Sequence, residues 1–517
     1  MEESGTKESP LRTMVKGGFF ILLGVLLSKL LWYIYRIIVA RYLGPEDYGL
    51  FSLAFSIFMT TMLLSKIGIP LGITRFVSKY IGKKDDSKVR GTIFSAFELT
   101  LPLSILAGLS LFILSPSISL ILGEPRLTPI LQIFALAIPF RTFLKDVVEV
   151  FKAFKRMDYF SGIENIFQPL VLVLLTIALI YSGYGVIGVA VAYTLSVLFA
   201  GALGFYLLQS RIFPIFGDYP TDKNHEELLK YSLPLLVVGI GQTISAHIDN
   251  FMLGWFPNTV ALDIGIYNSA LPTAYLISSL STIFAIILFP LISTHLAKGE
   301  DNIASKLISV AVRWTLITSL PLTLVLILFS STILNTFFGS VYTEGATVLS
   351  IIALGILVKA VVTPIGKYLL AIDKTRWMMF NSLAIVLTNT ALNYLLIPQY
   401  GILGAGIAVA ISFLIFSLLI ILEVLVILKL SLSLRSIWKP IFSASLSLLI
   451  IYSLRLSEVY DPSIISELIL LLGTYSTSFV FSNGFEPEDI IIVEIAEEKL
   501  GTELRFLKNL ISKMSSN

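Results

Sequence analysis

Long apolar runs dominate this chain, and they constrain its fold more than any single motif does. Each run has roughly the 20 apolar residues that a helix needs to cross a bilayer. Only 14% of the residues are charged and the mean hydropathy is +0.88, whereas soluble domains carry about 25% charged residues. The sequence therefore predicts an all-α, polytopic membrane protein with about fourteen transmembrane helices, at 19–38, 48–67, 93–114, 129–151, 163–182, 185–208, 231–255, 265–293, 307–329, 346–372, 377–398, 401–427, 436–456 and 463–481.

Lysine and arginine residues are unevenly divided between the two sides of the predicted bundle. The loops on one side hold only Arg41, Arg126 and Arg455. The loops on the other side are rich in both residue types, and they are 68–92, 152–162, 209–230, 294–306, 373–376 and 428–435. Because short basic loops stay in the cytoplasm, we expect both termini to be cytoplasmic and the protein to lie in the cell membrane.

A sequence repeat divides the chain into two halves. The run YGVIGVAVA at 184–192 returns as YGILGAGIA at 400–408, an offset of 216 positions. The same offset relates three further pairs, which are Gly49 and Gly265, Asn165 and Asn381, and Ser196 and Ser412. Each copy holds six spans, so the copies share one orientation and are related by an axis along the membrane normal. We expect two six-helix lobes in a parallel pseudo-repeat, followed by two extra helices.

The repeat and the loops together predict six segments. A cytoplasmic N-terminal segment (1–16) precedes the N-terminal lobe (17–210), and a cytoplasmic linker (211–228) leads to the C-terminal lobe (229–428). Helices 13 and 14 occupy 429–483. The remaining residues, 484–517, are predicted to form a cytoplasmic amphipathic tail, with a partly ordered tail as the alternative. Pro487 suits a first helical turn, and apolar residues recur at helical spacing among charges, namely Ile495, Leu504, Leu507 and Ile511.

Basic residues inside the first span predict a binding site for an anion. Ionisable groups within a span are costly and usually face a cavity. Lys29 and Arg36 are seven residues apart, so they share one helix face with Tyr33 between them. Lys359 in the tenth span offers a further positive charge. A phosphate or diphosphate suits such a cationic face; the alternative is that Lys29 pairs with a carboxylate inside the bundle.

An acidic residue in the seventh span predicts a site for a coupling ion. Asp249 has no basic neighbour in the core of its own span, so it is protonated, bound to a cation or paired with another helix. The eleventh span offers oxygen ligands that suit Na⁺, which are Asn381, Thr388, Asn389 and Asn393. H⁺ binding by Asp249 alone and a salt bridge to Lys359 are the alternatives. His247 is interpreted as a packed histidine, and Glu98 and Arg313 as members of interhelical pairs.

The sequence lacks the residue patterns of an enzyme. It has no cysteine and only three scattered histidines, which excludes disulfides and thiol catalysis. It contains no Ser-His-Asp set, no phosphate-binding loop and no acidic metal cluster. We therefore expect a protein that is not an enzyme, has no cofactor beyond a coupling Na⁺ or H⁺, and does not bind nucleic acid.

Four motifs resemble those of a known transporter family. They are RYLGPEDYG at 41–49, IPLGITRF at 69–76, GIYN at 265–268 and LIPQYGILGA at 396–405. Their order and spacing are similar to the polysaccharide-transport, or oligosaccharide flippase, family of the multidrug/oligosaccharidyl-lipid/polysaccharide exporter superfamily. The resemblance implies two lobes that form a V around a central cavity with alternating access. It also implies a cargo, an oligosaccharide linked to a polyprenyl diphosphate that moves from the inner to the outer leaflet for surface polysaccharide or glycan biosynthesis.

The resemblance gives the predicted sites a role. Lys29 and Arg36 would bind the head group, and the lipid tail would remain in the bilayer between the lobes. Lipid II flippases of the superfamily have a sodium site between the seventh and eleventh helices, and Asp249, Asn389 and Asn393 lie on comparable spans. We expect a monomer that works near glycosyltransferases or a polymerase. The alternatives are a cation-coupled multidrug efflux antiporter of the same superfamily and a membrane scaffold for glycan assembly.

Overall fold

Helices make up nearly all of the computed structural model, which describes residues 10–216, 220–372, 374–428, 434–456 and 463–490, together with 493, 494, 497, 505 and 508. No strand occurs among these residues. The helices are α1 Pro10–Lys66, α2 Ile69–Gly82, α3 Asp86–Ile121, α4 Leu127–Ala153, α5 Met157–Phe160, α6 Gln168–Tyr181, α7 Gly185–Leu207, α8 His225–Trp255, α9 Ala261–Ala274, α10 Leu276–Ala297, α11 Asp301–Leu328, α12 Ser330–Phe337, α13 Ala346–Ala371, α14 Thr375–Glu423, α15 Leu434–Leu456 and α16 Ile464–Phe481. Short π-helical segments, Ser161–Phe167, Leu208–Ile212 and Val424–Leu428, precede or extend α6, α7 and α14.

Eleven helices in the described part of the chain are long and apolar enough to cross a membrane. Two of them contain two predicted spans each, because α1 bends at Gly44 (φ 79°, ψ 171°) and α14 bends at Gly401 (φ 54°, ψ −132°). Pro45 follows the first bend, at a position where a new helix tolerates a missing N–H. The all-α membrane fold is thus confirmed, and the count of fourteen crossings remains a prediction.

The predicted eighth span is interrupted in the structure. The region 265–293 is divided between α9 and α10, which meet at Tyr275. Pro272 lies one turn before the break and has no N–H, so the carbonyl of Asn268 has no donor within its own helix. The Tyr48 hydroxyl of α1 donates to that carbonyl at 3.1 Å. The break thus creates a hydrogen bond between the two halves of the chain.

A second difference concerns the basic loop at 68–92. It contains the amphipathic helix α2, which the sequence analysis treats as loop. Pro70 lies in the first turn of α2, and its buried residues are Ile69, Gly72, Ile73, Phe76, Val77 and Tyr80. This spacing of three and four residues is that of one helix face. Most of the predicted amphipathic tail lies outside the described residues, and the described part includes a short 3₁₀ turn at Pro487–Asp489.

The two halves meet at the repeat-related glycines. A Cβ on Gly49 would overlap the carbonyl oxygen of Ala261, and a Cβ on Gly265 would overlap the carbonyl oxygen of Pro45. Residues 45 and 49 correspond to 261 and 265 through the offset of 216 positions. The contact between α1 and α9 is therefore reciprocal, as it is at a two-fold axis. This arrangement agrees with a parallel pseudo-repeat.

Candidate functional site

A cavity of about 450 Å³ lies between the two halves of the chain. Its walls come from α1 on one side and from α8, α9 and α10 on the other. The predicted residues Lys29, Tyr33 and Arg36 all line it. The fold therefore brings these three residues together in one wall.

Partners from the second half hold this cationic wall in position. The Lys29 ammonium donates to Ser279 Oγ at 3.1 Å, and the Tyr33 hydroxyl lies 3.0 Å from Thr273 Oγ1. The described residues do not provide the alternative that was predicted for Lys29, which is a carboxylate partner. The cavity-lining residues described here include no Asp or Glu. The wall thus has two positive charges and no carboxylate to balance them.

Arg36 is positioned by the helix break described above. One of its guanidinium N–H groups faces the Tyr48 hydroxyl oxygen at 3.5 Å, and Tyr48 in turn donates to the carbonyl that Pro272 leaves free. Tyr48 is fully buried, so the bond also satisfies a polar group that would otherwise be costly. The orientation of Arg36 therefore depends on a residue of its own helix and on the backbone of α9.

A polar region of the cavity was missed by the sequence analysis. His247 was interpreted as a packed residue, but it lines the cavity, and its Nδ1 lies 3.1 Å from Ser56 Oγ. Asn250 donates to the same hydroxyl at 2.8 Å, and Asn268 donates to Asn250 at 2.7 Å. The missed signal is the spacing of three residues between His247 and Asn250, which puts both on one helix face.

Lys359 does not lie in the cavity wall. Its ammonium is 3.9 Å from the centroid of the Phe413 ring, between α13 and α14 of the second half. Such a contact stabilises a cation with little water nearby. The prediction that Lys359 adds charge to the cavity is therefore not supported by its position. The alternative salt bridge with Asp249 is also absent, because Asp249 has other partners.

Asp249 meets the eleventh predicted span away from the cavity. Asn393 donates to Asp249 at 2.8 Å and to Asn389 at 3.0 Å, and all three residues are buried. The side-chain carbonyl of Asn393 is buried and has no hydrogen-bond partner among the described residues. Carboxylate and amide oxygens are the ligand types that hard cations prefer, and a cation site at these residues remains a prediction.

Two residues of the predicted cation site lie elsewhere. Asn381 donates to Glu423 at 2.9 Å, and twelve residues of helix, about 18 Å, separate it from Asn393. A single ion cannot contact both residues. Thr388 shares the helix face of Asn381 rather than that of Asn389. The structure thus keeps three of the five predicted residues together and separates two.

The N-terminal half contains a second group of buried charges, which the sequence analysis did not identify. Lys145 binds Glu164 at 2.5 Å, and Arg141 shares the same carboxylate oxygen at 3.3 Å. Thr100 donates to Asp146 at 2.6 Å. Glu164 lies in the π-helical segment that precedes α6. The members of the group come from three different elements, so only the fold reveals the group.

Ion pairs join the two halves at the ends of the helices where the basic loops lie. Glu98 binds Lys223 at 2.5 Å and His225 at 2.8 Å, which confirms the predicted pairing of Glu98. Lys79 binds Glu227 at 2.9 Å, and this hydrogen bond raises the pKa of Lys79 above its ordinary value. These side chains are largely exposed, so each pair contributes little stability and can open readily.

Arg313 is also paired, but its partners lie in the segment after α16 and not on another spanning helix. Arg313 is buried in α11 and binds both Glu486 and Asp489. Trp314 donates to the same Asp489 oxygen at 2.7 Å, and Phe485 packs against the Trp314 ring. The segment after α16 therefore closes over a buried positive charge.

Comparison with known proteins gives the family. The model of the family described as "Polysaccharide biosynthesis protein" matches residues 14–295, and that of "Lipid II flippase MurJ" matches residues 219–473. The chain is 28% identical over 194 residues to the probable low-salt glycan biosynthesis flippase Agl15 of Haloferax volcanii, which covers 38% of this chain and 41% of that protein. It is 23% identical over 452 residues to stage V sporulation protein B of Bacillus subtilis, covering 79% and 83%.

A solved structure of lipid II flippase MurJ in its inward closed conformation has the same fold. The TM-score is 0.71 at 16% identity, and the match covers 90% of this chain and 98% of that one. The fold and the cavity thus define a polytopic membrane protein of the two-halved, all-α transporter class. Within that class, the chain belongs to the polysaccharide biosynthesis protein family. The predicted resemblance to the polysaccharide-transport, or oligosaccharide flippase, family is confirmed.

Proposed function

We propose that this protein is a flippase that moves a polyprenyl-diphosphate-linked oligosaccharide from the cytoplasmic to the outer leaflet by alternating access. The observation that carries the proposal is the cavity between the halves, which has Lys29 and Arg36 in its wall and no described carboxylate. A diphosphate diester carries about two negative charges at neutral pH, and guanidinium and ammonium groups bind phosphate strongly. The cargo would serve cell-surface polysaccharide or glycan biosynthesis.

The proposal includes a membrane topology and a role for the lobes and for the lipid tail. Both termini lie in the cytoplasm, the lobes at 17–210 and 229–428 move against each other, and the lipid tail stays in the bilayer. The exposed ion pairs between Glu98 and Lys223 and between Lys79 and Glu227 support such a motion, because contacts of this kind open at little cost. The protein acts as a monomer in the cell membrane near the glycosyltransferases or polymerase that use the same lipid.

A transport assay in vesicles tests the proposal. Purified protein is reconstituted with a fluorescent lipid-diphosphate sugar, and the fraction that reaches the outer leaflet is measured with a membrane-impermeant quencher. We expect Lys29→Met with Arg36→Gln to reduce the rate at least about tenfold, since each lost charge-assisted hydrogen bond costs about 1.5–3 kcal/mol. Lys83→Ala removes an exposed lysine outside the cavity and serves as the matched control. A wild-type rate in the double variant would contradict the cavity assignment.

We further propose that Asp249, Asn389 and Asn393 bind the coupling cation. The buried carboxylate and the unpaired amide oxygen support Na⁺, and H⁺ is the other candidate. Asp249→Asn should remove the dependence of transport on an imposed Na⁺ gradient while Lys29 and Arg36 remain intact. Asn381→Ala serves as the control, because Asn381 lies about 18 Å along the helix from Asn393. If a pH gradient but no Na⁺ gradient drives the wild-type protein, the ion is H⁺.

The alternative function, a cation-coupled multidrug efflux antiporter, predicts a different response. A cavity for cationic drugs needs negative charge, and the described lining residues supply positive charge instead. Export of a cationic dye from cells that express the protein, lost in Asp249→Asn, would favour this alternative. We expect no export of the dye.

A further inference from the structure

The cavity wall formed by α1 is aromatic as well as cationic. Trp32 and Phe55 both line the cavity and remain partly exposed, and their ring centroids are 6.4 Å apart. Phe51 stacks on Phe55 at 5.8 Å, and Tyr35 meets Trp32 edge-on at 5.6 Å. Neighbouring rings thus fix Trp32 and Phe55 from behind. A diphosphate group gains little from such a wall, because the phosphate oxygens and the faces of the aromatic rings both carry negative charge.

Polar groups that suit a neutral ligand surround this aromatic wall. Tyr35 borders the cavity, and its hydroxyl is buried without a hydrogen-bond partner among the described residues. A buried hydroxyl without a partner is costly, so this group would gain from a ligand hydroxyl or a water that reaches it. On the opposite side, Asn250 and His247 present amide and imidazole groups. None of these three cavity-lining side chains is a carboxylate or a permanent cation.

A sugar ring has the chemistry that fits both features. Its axial C–H bonds form an apolar face with slight positive charge, which is attracted to the negative face of an aromatic ring. Its hydroxyl groups around the rim need donors and acceptors such as amides, imidazoles and phenols. Sites for small polar ligands commonly combine aromatic walls with a few such groups.

We propose that Trp32 and Phe55 form a sugar subsite, in which they stack against the sugar bonded directly to the diphosphate. The position of Trp32 selects that sugar, because Trp32 follows Lys29 by three residues, about 4.5 Å of helix. The sugar therefore lies beside the phosphate that Lys29 binds. This inference rests on the proposed function. It adds that the cavity recognises one part of the cargo, the sugar bonded directly to the diphosphate.

Equilibrium binding of two radiolabelled lipids to the purified full chain tests the subsite. One is a polyprenyl diphosphate with a single sugar, and the other is the same lipid with a methyl group in place of the sugar, so the charge is equal. Trp32→Leu should weaken binding of the sugar lipid roughly tenfold, the loss of one aromatic contact, and change binding of the methyl lipid less than twofold. Trp32→Phe should lie between wild type and Trp32→Leu. Lys29→Met should weaken both lipids.

A second variant and a spectroscopic measurement distinguish a selective loss of sugar binding from misfolding. Phe55→Leu should show the same selective loss, and Trp438→Leu, which removes an exposed tryptophan of α15 (48% exposed), should behave as wild type. The sugar lipid should change the tryptophan fluorescence of wild type but not that of Trp32→Phe, and the methyl lipid should not reproduce the change. Equal loss for both lipids in Trp32→Leu and Phe55→Leu, or no loss for either, overturns the subsite. If wild type binds neither lipid, both the subsite and the proposed function are wrong.

Discussion

The segment after α16 should be essential for the stability of the whole C-terminal half. Arg313 is only 2% exposed and relies on two carboxylates that lie more than 170 positions further along the chain. One of them, Asp489, is fully buried and also accepts a hydrogen bond from Trp314. Asp489→Ala removes this carboxylate and leaves Glu486, which is 29% exposed, as the remaining partner.

The size of the effect follows from the burial of the pair. Loss of one member of a buried ion pair costs about 3–5 kcal/mol, because the other charge remains without compensation. Glu486 still offsets part of that charge, so we expect a loss of about 3 kcal/mol in the free energy of unfolding. If the whole loss of stability acts on the unfolding rate, that rate rises about 100-fold.

Unfolding of a large membrane protein is often irreversible, so the half-life at a fixed temperature is the suitable measurement. The purified variants are heated in one detergent, and the folded fraction is followed by size-exclusion chromatography. Glu488→Ala is the matched control, since Glu488 lies in the same turn and its partner Lys306 is 3.7 Å away and 68% exposed. An exposed pair of this kind contributes less than about 1 kcal/mol.

A double variant separates the buried charge from other effects of the substitution. Arg313→Met with Asp489→Leu removes the charges together, and replacement of a buried pair by apolar residues is often neutral. We therefore expect the double variant to be more stable than Asp489→Ala alone. The reasoning fails if Asp489→Ala has the half-life of Glu488→Ala, or if the double variant is as short-lived as the single one.

Two other substitutions test the contact between the halves. Gly49→Ala places a Cβ against the Ala261 carbonyl and should cost about 1–3 kcal/mol, as overpacking does elsewhere; an unchanged melting temperature would contradict the close approach. Tyr48→Phe removes the donor to the Asn268 carbonyl and should cost about 1–3 kcal/mol through the buried carbonyl. Binding of the lipid-diphosphate sugar should also weaken, because the hydroxyl that positions Arg36 is lost.

The sequence predicted the features that depend on the backbone or on spacing within one helix. The repeat was found at Gly49 and Gly265 because close helix packing allows no side chain there, so the residue type itself records the contact. Lys29 and Arg36 were placed on one face because a helix fixes the angle between residues seven apart. Both predictions required no knowledge of how one helix is rotated against another.

The predicted site residues that lie apart in the structure required that knowledge. Asn381 and Asn393 are both amides of one helix, but only the packing of α8 and α14 decides which of them faces Asp249. Lys359 was assigned to the cavity from its depth in the tenth span, whereas the rotation of α13 directs it to Phe413. The carbonyl that Pro272 leaves without a donor is bonded by a tyrosine 224 positions before that proline, at 48. The sequence contains these residues, but it does not show that they are in contact.

One helix connects the two candidate sites, and this limits how they can influence each other. Asp249 faces α14, whereas His247 and Asn250 on the same helix α8 line the cavity. No described residue of the cation site lines the cavity, so a cation cannot attract the head group by direct contact there. If a cation drives transport as proposed, coupling must therefore act through a change in the position of α8 or of a helix packed against it. Linkage then requires that Na⁺ and the lipid change each other's affinity by the same factor, and that Asp249→Asn removes both effects together.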